Sequence, residues 1–200
     1  MTDAFPAIFL VDDDPSVTES LSWMLDSVKL KPVTFNDPEE FLDEFAGFAG
    51  PACIVLDMRM ARMGGVEVLQ QVLQLREDVP VTLLSAHGDV PIAVRSMKLG
   101  AFDFLQKPCD PQVFLDTINL MLRRAEDLYK RTEEDRRKEG ILSKLSTREA
   151  EVFHFIVQGL SSKEMAIELE ISPKTIDIHR ANILKKLDAT SYRDLIHKYS

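Results

Sequence analysis

Cysteine and long apolar segments are scarce in this sequence of 200 residues, and each shortage excludes a class of protein. Cys53 and Cys109 are the only cysteines, too few for a disulfide-stabilised scaffold and without the spacing of metal ligands. No apolar run approaches the roughly 18 residues that a membrane-spanning helix needs. The first residues lack the basic segment of a secretory signal. We therefore expect a cytoplasmic protein with no membrane partner.

The charge of the chain is distributed unevenly. Apolar residues make up 45% of the sequence and charged residues 28%, a globular balance that excludes wholesale disorder. The net charge of −9 argues against a uniformly basic nucleic-acid binder. Residues 1–123, however, hold 9 Lys and Arg against 19 Asp and Glu, whereas residues 141–200 hold 9 against 8. An acidic first part and a neutral second part predict two modules with different functions.

The first part of the sequence alternates short apolar runs with amphipathic stretches. The apolar runs predict five strands: Ala7–Val11, Val33–Phe35, Ala52–Leu56, Val81–Leu84 and Phe102–Leu105. The amphipathic stretches predict five helices: Pro15–Val28, Pro38–Phe45, Val66–Leu75, Pro91–Leu99 and Pro111–Leu122. Three of these helices follow an Asp–Pro pair, which is typical of a capped helix start. The alternation predicts a doubly wound, flavodoxin-like α/β fold with a five-stranded parallel sheet.

A mixed-charge segment separates the two modules. Residues 124–139 contain neither glycine nor proline, so we expect the last helix of the first module to continue through them and to end at Gly140. The remaining residues show no strand pattern and predict four short helices, with a tight turn at Ile171–Pro173 between the second and the third. We divide the chain into residues 1–123, a linker helix over 124–140, and an all-α four-helix domain of the helix-turn-helix type over 141–200.

Charged and polar residues follow the predicted strands of the first module. Asp12 and Asp13 come directly after the first strand, Asp57 after the third and Ser85 after the fourth, and Lys107 follows the fifth. Because parallel strands end at the same edge of a sheet, these side chains should converge there. Clustered carboxylates repel one another unless a hard cation lies among them, which favours a Mg²⁺ site. A hydroxyl and an ammonium beside them suit the oxygens of a phosphoryl group.

The run Val11-Asp12-Asp13-Asp14, together with Asp57, Ser85 and Lys107-Pro108, resembles the receiver domain of bacterial two-component response regulators. The resemblance implies that Asp57 accepts a phosphoryl group from a sensor histidine kinase. It also implies that Mg²⁺ binds to Asp12, Asp13, Asp57 and the backbone carbonyl of Arg59.

The same resemblance implies roles for three residues in the response to phosphorylation. Lys107 would pair with the phosphoryl group, and the Ser85 hydroxyl would donate a hydrogen bond to it. Phe104 would then rotate and transmit the change to the surface. The chain would thus be an acceptor of a phosphoryl group, and we do not expect it to be an enzyme.

Two single residues carry expectations of their own. Ala61 stands where the receiver family usually has proline, which leaves the rigidity of the loop after Asp57 open. Trp23 lies among apolar residues of the first helix, and we expect it to pack in the core.

The C-terminal helices also resemble a known family. Leu145–Glu149, Ser162–Ala166 and Ser172–His179 are similar to segments of the LuxR-type DNA-binding domain, and the whole chain is similar to FixJ-class regulators. Small and basic residues on the third helix of this domain would let it enter a major groove. The residues expected to contact DNA are Lys163, Lys174, Thr175, Asp177, Ile178, Arg180, Ala181 and Lys185, and the lysines among them would contact phosphates.

We therefore expect a transcription factor that phosphorylation of Asp57 activates. Phosphorylation would favour a homodimer through the fourth helix and fifth strand, and the dimer would bind an inverted repeat in double-stranded DNA. RNA polymerase is a candidate further partner. Three alternatives stay open: a haloacid-dehalogenase-like phosphatase built on Asp12 to Asp14, a helical bundle that mediates only protein contacts, and a constitutive dimer through the linker helix.

Overall fold

The computed structural model describes residues 5–86 and 90–199, with side chains described as far as residue 196. The chain forms two compact units, and the division between them falls between Thr132 and Glu133. Among the described helices, none is both long enough and apolar enough to cross a membrane.

The first unit is built on a five-stranded parallel sheet with the strand order β2-β1-β3-β4-β5. The strands are β1 (Ala7–Val11), β2 (Pro32–Phe35), β3 (Ala52–Asp57), β4 (Val81–Ser85) and β5 (Asp103–Gln106). The helices are α1 (Pro15–Ser27), α2 (Pro38–Gly47), α3 (Gly65–Leu75), α4 (Val90–Lys98) and α5 (Pro111–Leu142). The prediction of a doubly wound α/β fold is confirmed.

Aspartates cap three of these helices, as the Asp–Pro pairs predict. Asp14 accepts a hydrogen bond from the Ser16 backbone N–H at 2.9 Å, and Asp37 accepts one from the Glu39 N–H at 2.9 Å. Asp110 accepts one from the Gln112 N–H at 2.8 Å. Each cap satisfies a backbone donor that the helix cannot satisfy itself, and so fixes where the helix begins after its strand.

The sheet separates two apolar cores. One contains a group of phenylalanines on β1, β2 and α2, with the Phe9 ring 5.8 Å from that of Phe41 and 5.9 Å from that of Phe45. The other packs β1, β3 and β4 against helices α1 and α5, around Leu25, Phe114 and Ile118. Because every residue of β3 and β4 is buried, these strands hold their carboxyl ends in fixed positions.

The prediction that Trp23 packs in the core is wrong, since its side chain is 80% exposed. Leu21 and Leu25 are buried on the inner face of α1. A helix turns by 100° per residue, so a residue two positions from each of these leucines lies on the opposite face. Apolar neighbours in sequence therefore indicated a core position that helical geometry does not allow.

The linker helix runs two residues beyond its predicted end at Gly140, because α5 continues to Leu142. Gly140 is exposed, and a Cβ added to it would meet nothing within 4 Å. Glycine inside an exposed helix costs only about 1 kcal/mol relative to alanine. The next residue, Ile141, is buried in the core of the second unit, and the Ser143 N–H still bonds to the Glu139 carbonyl. These contacts outweigh the small cost.

The second unit contains α6 (Thr147–Val157), α7 (Ser162–Glu168), α8 (Pro173–Lys186) and α9 (Tyr192–Tyr199) around one apolar core. Reciprocal capping boxes begin two of these helices: Ser146 with Glu149 at α6 and Ser161 with Glu164 at α7. Glu170, with a positive φ of 53°, lies in the tight turn between α7 and α8. The prediction of a helical domain with a helix-turn-helix arrangement is confirmed.

Candidate functional site

Three carboxylates lie together at the carboxyl edge of the sheet. Asp12 follows β1 and Asp57 ends β3, and these two strands are paired with Val11 opposite Leu56. Asp12, Asp13 and Asp57 each offer a carboxylate oxygen within 4.8 Å of the others. Asp12 and Asp57 are buried, whereas Asp13 is exposed. This set of oxygen donors suits a hard divalent cation such as Mg²⁺.

Lys107 compensates part of this negative charge. Its Nζ donates hydrogen bonds to Oδ2 of Asp12 and to Oδ1 of Asp57. Burial raises the pKa of Asp12, although the hydrogen bond from Lys107 partly offsets this effect. Burial alone would lower the pKa of Lys107, but the two carboxylates outweigh it and raise that pKa, so the side chain stays an ammonium. The two buried carboxylates therefore share the single positive charge of Lys107.

The sheet also fixes the other residues predicted for this site. Ser85 is buried at the end of β4, opposite Gln106 of β5, and its carbonyl accepts a hydrogen bond from the Lys107 N–H at 2.7 Å. The peptide bond from Lys107 to Pro108 is cis. Phe104 is half-buried on β5 and packs against the phenylalanine-rich core. The Arg59 N–H donates to Oδ2 of Asp57 at 2.7 Å, so both oxygens of Asp57 accept a hydrogen bond.

In the second unit, a polar network connects α7 with α8. The Ser162 hydroxyl donates to Oδ1 of Asp177 at 2.8 Å and accepts a hydrogen bond from Arg180 at 2.7 Å. The Arg180 guanidinium also lies 4.0 Å from the centre of the Tyr192 ring. These contacts hold the two helices of the helix-turn-helix together and link them to α9.

Two family models match the two units. Residues 8–119 match the model of the response regulator receiver domain, and residues 143–199 match that of bacterial regulatory proteins of the luxR family. The chain is a two-component response regulator. Its C-terminal part is a LuxR-type DNA-binding domain.

The chain is similar to known response regulators over almost its whole length. Response regulator protein TmoT of Ectopseudomonas mendocina is 36% identical over 196 residues, which are 98% of this chain and 89% of that protein. Transcriptional regulatory protein FixJ of Bradyrhizobium diazoefficiens is 36% identical over 189 residues, which are 94% and 92% of the two chains. The solved structure of response regulator StyR covers 98% of each chain with 37% identity and a TM-score of 0.77.

The phosphatase alternative has no support in the structure of this regulator. It requires another acidic pair after a strand beyond Lys107. Across the described residues, 5–86 and 90–199, no strand follows β5, and every element after Lys107 is a helix. Of the acidic residues that follow Lys107 most closely, Asp110 caps a helix and Asp116 lies inside α5.

Sequence reasoning missed two features of the regulator's β3–α3 loop. The Ala61 N–H donates to Oδ2 of Asp13 at 2.7 Å, and nothing in the sequence indicated this contact. Gly65 begins α3 so close to β3 that a Cβ on it would lie 2.3 Å from the Asp57 carbonyl oxygen. The adjacent Gly64 and Gly65 in the sequence were a usable signal of such a close approach.

The regulator's predicted DNA-contact residues lie on α7 and α8, and the structure separates them into two groups. One group is exposed: Lys163, Lys174, Asp177, Ile178, Ala181 and Lys185. The other two, Thr175 and Arg180, are half-buried. Ile178 is 55% exposed on α8. The neighbouring Lys186 pairs with the buried Glu149 at 2.6 Å.

Proposed function

We propose that Asp57 accepts a phosphoryl group from a phosphohistidine of a sensor kinase. In this reaction one carboxylate oxygen of Asp57 forms a bond to phosphorus while the phosphorus–nitrogen bond of the phosphohistidine breaks. The observation that carries the proposal is the contact of Asp57 with the Lys107 ammonium, next to two further carboxylates. The ammonium can offset negative charge on the transferring group.

The carboxylates of Asp12, Asp13 and Asp57 would hold Mg²⁺, together with the backbone carbonyl of Arg59. The bound ion would supply positive charge that neutralises the oxygens of the phosphoryl group. Two of the three side chains are buried, and Lys107 offsets only one of three negative charges. This charge imbalance supports the binding of a divalent cation.

We propose that the phosphorylated state is read by Lys107, Ser85 and Phe104. Lys107 would move its hydrogen bond from the carboxylate to a phosphoryl oxygen, and the Ser85 hydroxyl would donate to another. Ser85 lies on β4 directly before the chain leads to α4, so a shift there reaches the surface of α4 and β5. Phe104 on β5 would change its rotamer as the neighbouring loop moves.

The surface of α4 supports the proposed homodimer. Val90, Val94 and Met97 are 69%, 48% and 45% exposed, although all three are apolar side chains. Exposed apolar residues on one short helix are typical of a protein interface. A symmetric contact through α4 and β5 would bring two copies together after phosphorylation.

The LuxR-type domain of such a dimer would bind an inverted repeat. We propose that Ile178, Thr175 and Ala181 face the major groove. Lys163, Lys174 and Lys185 would contact phosphates. Asp177 and Arg180 belong to the same helix but share the Ser162 network, so their main role would be to fix the angle of α8.

The domain limits follow from these roles. We propose that residues 1–123 receive the signal, that residues 124–140 form the linker helix, and that residues 141–200 bind DNA. The linker's mixed charge supports a solvated connector over the alternative of a constitutive coiled-coil dimer. RNA polymerase in the cytoplasm would be the partner at the promoter.

Intact-protein mass spectrometry after incubation with acetyl phosphate and Mg²⁺ tests the acceptor. We expect one added phosphoryl group in the natural protein and in Asp43→Asn, which alters an exposed carboxylate on α2. Asp57→Asn and samples treated with chelator should gain none. A phosphoryl group retained by Asp57→Asn would refute the assignment.

The dimer surface is tested by Val94→Arg in sedimentation velocity of the phosphorylated protein. This variant should accept the phosphoryl group normally but stay monomeric. Val28→Arg, at the end of α1 with 47% exposure against 48% for Val94, is the matched control and should still dimerise. Equal dimerisation of both variants would show that α4 is not the interface.

A further inference from the structure

The loop after Asp57 contains a hydrogen bond that proline could not make. The Ala61 N–H donates to Oδ2 of Asp13 at 2.7 Å, across 48 positions of sequence. A proline at this position, which is usual in the receiver family, has no N–H. The contact is therefore one that the usual proline would exclude.

We propose that the Ala61 N–H positions Asp13 for metal binding. The inference rests on the proposed Mg²⁺ site and specifies how one of its ligands is oriented. Asp13 is exposed, so without a partner its carboxylate would be free to rotate towards solvent. With Oδ2 held by the Ala61 N–H, the carboxylate is kept in one orientation. Asp13 then offers an oxygen within 4.8 Å of those of Asp12 and Asp57. Ala61 thus acts as a positioning residue and makes no contact with the phosphoryl group.

The same hydrogen bond belongs to a set that holds the β3–α3 loop. The adjacent Arg62 pairs with Asp37 at 2.8 Å and with Glu39 at 3.3 Å, which ties the loop to the start of α2. At the end of the loop, the Gly65 N–H donates to the Met58 carbonyl at 3.0 Å. A proline ring restricts a loop through its own φ angle, whereas here contacts to α2 and to Asp13 restrict it. The loop is thus held by contacts to other parts of the chain and not by a proline ring.

The expected effect on affinity is modest because the hydrogen bond is open to water. Hydrogen bonds to charged groups contribute more than neutral ones, but water competes at an exposed site. We expect removal of the Ala61 N–H to weaken Mg²⁺ binding about three- to tenfold.

Two variants remove the N–H in different ways. Ala61→Pro replaces it with a ring, and an ester substitution, with lactic acid in place of Ala61, removes it without restricting φ. Ala61→Ser keeps the N–H and is the matched control. Mg²⁺ affinity of the full-length protein is measured by isothermal titration calorimetry. Hydrogen exchange of the segment 58–64 is measured in metal-free buffer.

The ester variant and Ala61→Pro should both bind Mg²⁺ more weakly, whereas Ala61→Ser should match the natural protein. In metal-free buffer, the ester should also speed exchange in the loop. Equal or tighter Mg²⁺ binding by the ester variant would overturn the positioning role even if exchange is faster. If the natural protein itself bound no Mg²⁺, the proposed metal site would fail, and this inference with it. Binding by the natural protein with no loss in the ester variant would refute only the inference.

Discussion

Replacing Asp13 by asparagine removes one of the three carboxylates at the carboxyl edge of the sheet. Asp13 lies within 4.8 Å of Asp12 and Asp57, measured between carboxylate oxygens, and makes no ion pair among the described residues. Asparagine retains an oxygen that can accept the Ala61 N–H, so the loop contact survives. The substitution is therefore expected to stabilise the metal-free protein by reducing repulsion.

The size of this effect follows from the local charges. Asp12, Asp57 and Lys107 together carry one net negative charge, which repels the Asp13 carboxylate. At 4.8 Å, two unit charges repel by about 3.5 kcal/mol at an effective dielectric constant of about 20 and by about 0.9 kcal/mol in water. Since Asp13 is exposed, we expect about 1–2 kcal/mol of stabilisation at low salt, and less at high salt.

Hydrogen exchange of the buried strand β3 in the full-length protein measures this effect, because exchange of core amides reports the free energy of unfolding of the surrounding unit. Asp13→Asn should slow exchange in Ala52–Asp57 in metal-free buffer. Added Mg²⁺ should slow exchange in the natural protein and much less in the variant. Asp43→Asn, on α2, should change neither the exchange in metal-free buffer nor its slowing by Mg²⁺. Faster exchange in metal-free Asp13→Asn would refute the electrostatic reasoning.

Three further predictions concern packing, pH dependence and DNA binding. Gly65→Ala should lower the free energy of unfolding by about 1–3 kcal/mol, since the new Cβ collides with the β3 backbone. It should also reduce both Mg²⁺ binding and phosphorylation, and unchanged phosphorylation kinetics would contradict this. The hydrogen bond from Lys186 holds the pKa of Glu149 near 2, well below its usual 4.5. The ionised Glu149 therefore stabilises the folded C-terminal domain above pH 4.5, and this stabilisation is lost as the pH falls towards about 2. Because Lys186 is 43% exposed, we expect Glu149→Gln to lower the free energy of unfolding by only about 1–2 kcal/mol at pH 7. Hydrogen exchange of α6 measures this loss, and the variant should no longer show the acid dependence. On a random 30-base-pair duplex (about three helical turns), Lys174→Met should reduce the slope of log affinity against log salt by about 1, whereas Arg180→Met should lower affinity with an unchanged slope. An equal loss of slope in both variants would mean that Arg180 contacts phosphate.

Most of the fold could be predicted from the sequence because local signals agree with the tertiary structure. The apolar runs of the first unit are short and are bounded by Asp, Pro and Gly, so their ends are predicted to within one residue at β1 and β3. The site residues could be predicted for the same reason, since Asp12 and Asp57 come directly after the ends of those runs. Position relative to a strand end is information that a sequence carries.

At Gly140, a distant contact outweighs a local preference. Gly140 would end an isolated helix, but Ile141 is anchored in the second core and the helix continues. The contacts of Arg180 could not be predicted either, because its partners, Ser162 and Tyr192, lie 18 and 12 positions away. The Ala61 contact could not be predicted at all, because every residue except proline has an N–H and the sequence does not show which acceptor it meets.

The contacts of Asp57 suggest how one reaction could affect two parts of the molecule. In the resting site, Oδ1 accepts from Lys107 and Oδ2 accepts from the Arg59 N–H. Formation of a bond to phosphorus removes the charge of the carboxylate, so both hydrogen bonds weaken whichever oxygen reacts. Weakening at Oδ1 would free Lys107 to follow the phosphoryl group, and weakening at Oδ2 would loosen the loop at Arg59. The backbone N–H of Lys107 bonds to the Ser85 carbonyl, so the residue that would follow the phosphoryl group is joined to the strand that precedes α4. The resting hydrogen bonds would therefore both hold the acceptor in place and connect its modification to the surface that we propose as the dimer interface.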